Sequence, residues 1–291
     1  MPRPSEKKRL DEAKARSAVA ASISALPVRT GLPALDSIVE VRLLTPPTAM
    51  RTTVTGKAGA KSARARTEYR ILRTDEVDEY EAAATPQGRL AASAAKTVVA
   101  AATPADDDYT GDKRKAAKLS VGKRKIEKFT DLKTLIASLP AEDKMVNHQP
   151  PITNDATSGR VAEEQRQVRV RAFLYAASRE SDNDFHLIIG RDPTKSPEMY
   201  MTMEVSGLPP KTSASFKKLK AVRDAYKNFF GNNLPGSGYD FPRPPVPVEI
   251  EGSLYFDMPH ATGSRPGPKS LKSRMPTIWE VHPVTKITFE P

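Results

Sequence analysis

Apolar and polar residues alternate along three stretches in the second half of the chain. In 167–176 (QVRVRAFLYA), Val168, Val170, Ala172 and Leu174 share one face, with Arg169, Arg171, Phe173 and Tyr175 on the other. In 184–190 (DFHLIIG), Phe185, Leu187 and Ile189 fall together; in 200–206 (YMTMEVS), Met201, Met203 and Val205 do so. A period of two is the signature of a half-buried strand. The period then changes. Between 213 and 230, apolar residues stand three and four apart at Phe216, Leu219, Val222, Tyr226, Phe229 and Phe230, which predicts an amphipathic helix. Gly231-Asn232-Asn233 is suited to end it. Alternation returns in 246–257, with Val246, Val248, Ile250, Leu254 and Phe256 on one face and Gly252 placed for a bulge or bend. A last run over 278–289 turns Trp279 and Val281 inward, is interrupted at Pro283, and resumes with Val284, Ile287 and Phe289.

Three strands, a helix and two strands predict a mainly β fold: a five-stranded OB-type barrel with one helix between strands 3 and 4. A bent, glycine-containing fourth strand suits closure of a small barrel. The first half patterns more weakly. Segments 37–44 (SIVEVRLL) and 68–73 (EYRILR) read as strands, and their pairing alone is a marginal ribbon. Asp131 followed by LKTLIASL reads as an N-capped short helix. Residues 82–105 are dominated by alanine, and a basic tract fills 113–128. Such blocks are commonly solvated or disordered. The expected organisation is therefore a basic, low-complexity, partly disordered N-terminal arm over 1–145 and a barrel domain over 146–291.

Composition sharpens this picture. The chain has 291 residues, 38 % hydrophobic, with 46 Lys and Arg against 35 Asp and Glu, a net charge of +11. The first 150 residues carry net +8 and the remainder +3. Absence of cysteine excludes disulfides, thiolate zinc sites, iron–sulfur clusters and cysteine nucleophiles. No apolar run is long enough to span a membrane. The first residues are charged and lack the apolar core of a secretory signal, while Glu6, Asp11 and Glu12 argue against a transit peptide. A cytoplasmic location is expected.

Candidate chemistry falls in two places. On the outer face of the first barrel strand, Arg169, Arg171, Phe173 and Tyr175 alternate guanidinium and aromatic groups, a pattern that suits base stacking with phosphate contacts. Covering of an apolar surface explains the two aromatics equally well. The cluster Lys113, Arg114, Lys115, Lys123, Arg124 and Lys125 adds salt-sensitive attraction to a polyanion.

The second place is set by histidine. Of four, His186 shares a strand face with Asp184, His260 follows Asp257 by three residues, and His282 shares a face with Glu280. If these six converge, they form a His/carboxylate metal site, for zinc or manganese, or an acid–base cluster. If they do not, each histidine bonds its local carboxylate or backbone. The loop 257–267, with Arg265 and two glycines, offers an anion contact or a plain connection. No serine-hydrolase elbow or phosphate-loop fingerprint is present, and no catalytic residue is singled out.

Three pieces together, Asp184-Phe-His-Leu-Ile-Ile189, Phe256-Asp-Met-Pro-His-Ala-Thr-Gly263 and Trp279-Glu-Val-His-Pro-Val284, resemble a recurrent pattern in small bacterial β-barrel proteins. That pattern reads Asp-x-His-Leu-Val-Ile, Phe-Phe-Asp-x-x-His-Gly-x-Thr-Gly and Glu-x-His-Pro-Val. The resemblance covers about 165–291; Ala261 stands where the pattern has glycine. It implies an OB-like fold and bacterial origin, implies no activity, and selects the same Asp, Glu and His residues.

The leading expectation is a protein that binds single-stranded nucleic acid or another polyanion. A metal-dependent hydrolase such as a nuclease, using the His/carboxylate cluster, is the first alternative. A docking module whose arm orders on a partner protein is the second.

Overall fold

The computed structural model describes residues 31–47, 67–78, 107–261 and 263–290. The alanine-rich 82–105 stretch and the charged N-terminal segment lie outside these residues. Five strands close a barrel: β4 (Gln167–Arg179), β5 (Phe185–Gly190), β6 (Tyr200–Val205), β8 (Val246–Phe256) and β9 (Trp279–Phe289). The order around it is β4-β5-β6-β9-β8 and back to β4, antiparallel throughout except for the parallel β6–β9 contact. The helix between the third and fourth barrel strands, α4 (Phe216–Phe230), is present as the spacing predicts.

Alternation fills the interior. Val168, Val170, Leu174, Phe185, Leu187, Ile189, Met201, Met203, Val248, Ile250, Leu254 and Val281 join one buried apolar cluster. Helix α4 adds Val222, Tyr226, Phe229 and Phe230 to it, with the Phe229 ring stacked on Phe289 at 3.9 Å. Gly231 ends the helix at φ +54°, a value that favours glycine. Gly252 is also obligatory: the β8–β9 register shifts on both sides of it, and a Cβ there would meet the Val281 side chain and the Pro283 carbonyl oxygen. A second bulge between Leu174 and Ala176 shifts the phase of β4, so Tyr175 and Ala176 join a separate apolar cluster with Ile188, Tyr200 and Phe241.

The first half contributes more than local order. β1 (Ile38–Leu44) and β2 (Tyr69–Thr74) pair antiparallel, as expected, but the surface they need is supplied by β7 (Asp240–Arg243). Strand β7 touches β4 at Ala177, extending the barrel sheet outward. Arg73 and Asp240, opposite each other in that register, form a buried bidentate pair at 2.9 and 2.7 Å. A further strand, β3 (Ile126–Phe129), runs parallel to β4. Helix α1 (Lys115–Lys118), helix α2 (Leu132–Ala137) and helix α3 (Glu142–Val146) bury Ala117, Leu132, Leu135 and Met145 completely. Residues 107–145, expected in the N-terminal arm, pack onto the barrel: β3 pairs with β4, and Leu132, Leu135 and Met145 join its core.

The strongest correction concerns Arg114. Sequence context places it in a solvated basic cluster; in the fold, it and Glu164 are both fully buried. Two guanidinium nitrogens each donate to one Glu164 oxygen at 2.7 Å, and also to the carbonyls of Phe256 and Gly159. The carboxylate accepts in turn from the Phe256 and Val161 amides, both at 3.0 Å. Sequence distance hides this pair, because the two residues lie 50 positions apart.

Removing one partner of a buried pair strands the other, so Arg114→Met or Glu164→Ala should each lower unfolding stability by about 3–5 kcal/mol in urea titrations. Arg171, 67 % exposed beside Glu249 and Glu290, should lose less than about 1 kcal/mol on conversion to alanine. Asp131 caps α2 by accepting from Lys133 N at 2.8 Å and pairs with Arg191 at 2.8 and 2.9 Å. The Arg191 bonds, opposed by burial, draw its pKa down to about 2. Its contribution is thus present above its ordinary value near 3.8 and is lost as pH falls toward 2. Asp131→Ala should cost about 1–2 kcal/mol at pH 7, with the gap to the unaltered protein closing below pH 4.

Candidate functional site

The interior face of each barrel strand is apolar, so alternation sends the intervening side chains to the outer face. On three neighbouring strands these are His186 (β5), Glu204 (β6), and Glu280 and His282 (β9). Register brings them together: His186 lies opposite Glu204 across β5–β6, and Thr202 opposite Glu280 across β6–β9. The turn between β4 and β5 adds Glu180, Asp182 and Asp184. Asp257 and His260 enter from the end of β8 and from α5 (Met258–Ala261).

An outer barrel face is normally wet. Here segment 107–118 crosses it, held by Tyr109 N to Leu208 O at 2.9 Å, Leu208 N to Asp107 O at 2.7 Å, and the Arg114 anchor. A cavity of about 280 Å3 remains beneath, lined among others by Tyr109, Lys118, Glu180, His186, Glu204, Tyr255, Asp257, His260 and Glu280. Asp184 and His282 lie fully buried behind Glu204.

Distances within the cluster are short. His186 Nδ1 is 2.7 Å from Glu180 Oε1 and 3.5 Å from Glu204 Oε1. His282 Nδ1 is 2.9 Å from Glu204 Oε2 and 3.4 Å from Glu280 Oε2, and its Nε2 is 3.4 Å from Asp184 Oδ2. Lys118 Nζ stands 3.3 Å from Asp182 and 3.9 Å from both Asp184 and Glu204. His260 Nδ1 contacts Asp257 Oδ2, and its Nε2 faces Asp78 at 3.9 Å. Asp78 also accepts from Tyr239 OH and Gly267 N.

Contact is not the same as satisfaction. Both ring nitrogens of His186 and of His282, with Asp184 Oδ2, Glu204 Oε2 and Glu280 Oε2, are buried and lack an aligned hydrogen bond. Buried polar atoms without an aligned hydrogen bond are rare. Two triads, Glu180/His186/Glu204 and Asp184/Glu204/His282, each place one donor atom per residue within 4.8 Å of the others, so these groups could hold a metal ion.

Burial and crowding of like charges set the protonation pattern. Burial, reinforced by Glu204, pushes Glu180 up to about 8. Burial also raises Asp184, with Asp182 and Glu204 adding to it, and Glu280, beside Glu204 and Asp257. Glu204 goes the other way: burial opposes its charge, but Lys118 and His282 hold its pKa well below the ordinary range. Burial works against a charged His186, which Glu180 and Glu204 nevertheless raise well above its usual value. Burial lowers His282.

Of the six residues selected from the sequence, Asp184, His186 and His282 fall in the two triads and Glu280 lies 3.4 Å from His282, while Asp257 and His260 line the same cavity as a separate pair outside both triads. Glu204 has no histidine near it in sequence to mark it, although it occupies on β6 the outward position that His186 occupies on β5. Glu180 and Asp182 sit in the same turn as Asp184. Lys118, within a tract that reads as solvated, and Asp78, more than a hundred residues away, carry no local signal.

The expected basic and aromatic surface divides differently. Lys113, Lys123, Arg124 and Lys125 are exposed and Lys115 half-buried, while Arg114 is sealed inside. Arg169 pairs with Glu251 at 2.6 Å and Arg171 with Glu249 at 3.5 Å, both on the neighbouring strand. Tyr175 is buried, its hydroxyl donating to Arg191 O at 2.8 Å, and Phe173 packs against the same second cluster. The aromatics therefore cover apolar surface. Arg265 bonds Glu142 at 2.6 Å. Among the described residues no helix is long and apolar enough to cross a membrane.

With only four histidines, imidazole titrations can be followed individually by NMR. Burial opposes protonation of His260, but Asp257 and Asp78 carry its pKa to about 9. Its ring should titrate near pH 9, and Asp257→Asn should bring the midpoint down by more than one pH unit. A midpoint near the ordinary 6.5 in the unaltered protein would contradict this geometry. No protein-family model, curated protein or solved structure matches the chain.

Proposed function

We propose that the barrel-face cavity holds a divalent metal ion and that the protein is a metal-dependent hydrolase of phosphate esters. The supporting observation is the triad Glu180, His186 and Glu204: three donors lining one cavity, within 4.8 Å of one another, with both His186 nitrogens buried and lacking an aligned hydrogen bond. One imidazole and two carboxylates suit zinc or manganese. A metal held by Glu180, His186 and Glu204 would supply Lewis acidity and a water of lowered pKa to the cavity.

Other residues supply the remaining functions. The Lys118 ammonium, raised well above its ordinary value by Glu204, Asp182 and Asp184 against burial, presents a fixed positive charge to an anionic substrate. His260, oriented by Asp257, is protonated at neutral pH and can donate a proton to a leaving oxygen. Phosphate esters match this pairing of cations with a metal. Carboxyl esters, neutral in the ground state, offer Lys118 no charge to bind.

The strand order, the parallel β6–β9 closure and the position of α4 support an OB-type assignment for the barrel. The 169–175 face supports a nucleic-acid surface less well than the cavity supports a metal, because its arginines already face carboxylates.

Chelator-stripped protein should take up zinc or manganese at micromolar free concentration, measured by equilibrium dialysis and elemental analysis. The loaded protein should hydrolyse bis(p-nitrophenyl) phosphate. His186→Ala should weaken metal binding at least tenfold and abolish turnover. Absence of uptake overturns the metal reading; uptake without phosphate-ester hydrolysis overturns the hydrolase reading.

A further inference from the structure

We infer that the site takes two divalent cations, with Glu204 bridging them. This rests on the metal reading above for the outer ion and adds an inner one. The two donor triads share a single residue, Glu204, and the two histidines face different oxygens of it. Oε1 faces His186 at 3.5 Å, on the cavity side with Glu180. Oε2 faces His282 Nδ1 at 2.9 Å, on the inner side with Asp184.

The inner triad meets an independent requirement for a ligand. Asp184 and His282 have no exposed side-chain surface, and Glu204 has 3 %. Asp184 Oδ1 accepts from Gly207 N at 2.6 Å, but its Oδ2 has no aligned hydrogen bond; nor do Glu204 Oε2 or either His282 nitrogen. Three donor atoms, one from each residue, thus converge, buried, with one of them supplied by the shared carboxylate.

Lys118 does not fill the position. Its ammonium is closest to Asp182, at 3.3 Å, and stays 3.9 Å from Asp184 Oδ2 and Glu204 Oε2, beyond hydrogen-bond reach. It reduces the local negative charge while leaving those oxygens open. Ions on opposite oxygens of one carboxylate stand about 3.5–4 Å apart, the spacing of two-metal centres.

Manganese distinguishes the arrangements, because two bridged ions couple magnetically. Full-length, chelator-stripped protein dialysed against buffered manganese should bind two equivalents and give a spin-coupled EPR spectrum. His186→Ala and His282→Ala should each retain one ion, with an isolated-ion spectrum, their folding checked by circular dichroism. Should a variant fail to fold, stoichiometry and coupling in the unaltered protein still decide. One equivalent, lost in His186→Ala, overturns the inner ion and leaves the outer site standing. Two uncoupled equivalents overturn the bridge, and no uptake overturns both proposals.

Discussion

The contact between Arg114 and Glu164 is the constraint on which the site depends. A guanidinium and a carboxylate taken out of water cost several kcal/mol each, and the attraction between them repays this only when geometry and remaining hydrogen bonds are good. Here the pairing is bidentate, two carbonyls accept from the same guanidinium, and two amides donate to the carboxylate. The pair thereby ties three chain regions together: the segment before α1, the turn before β4 and the end of β8. Lys118 is one helical turn beyond Arg114, and its amide donates to the Arg114 carbonyl at 2.9 Å. The pair therefore places the cation that faces the acidic cluster.

Once that segment is anchored, the outer face of β5, β6 and β9 becomes an interior without being a core. The same alternation that builds the apolar barrel puts His186, Glu204, Glu280 and His282 on the opposite side. On an open sheet they would be solvated and titrate normally. Covered by 107–118, they lose water, and the neutral forms of Asp184, Glu180 and Glu280 gain at the expense of the charged ones. Perturbed titration here is a product of tertiary covering, and clusters of this kind are characteristic of functional sites.

What the sequence reveals follows from how local each signal is. The barrel strands and α4 are legible because burial on one face imposes a period over several residues. Strands β3 and β7, each four residues long, are too short to show a period; one is hidden in a basic tract and the other in a Pro-rich loop. The six site residues are legible because each histidine has a carboxylate within three positions, on its strand face or, for His260, one turn away. Arg114, Lys118 and Asp78 are not, since their partners are distant in sequence and their own neighbours are charged. Charge runs read as solvated because most are. Two of the tract's basic residues are instead used internally.

Rigidity gives the cluster its chemical consequence. His186, Glu204 and His282 project from strands whose spacing is set by backbone pairing, and Asp184 is held by the Gly207 amide. Repelling carboxylates on a loop can separate; Glu204 and Glu280, on β6 and β9, cannot without breaking the barrel register. Their mutual repulsion must be relieved in place, by protons, by Lys118 or by a cation. Protons suffice for Glu180, whose pKa reaches about 8, but Glu204 stays ionised between two imidazoles. A fixed anion flanked on each oxygen by an imidazole with no aligned hydrogen bond is an arrangement that could hold a metal ion, and the strand register keeps those groups in place.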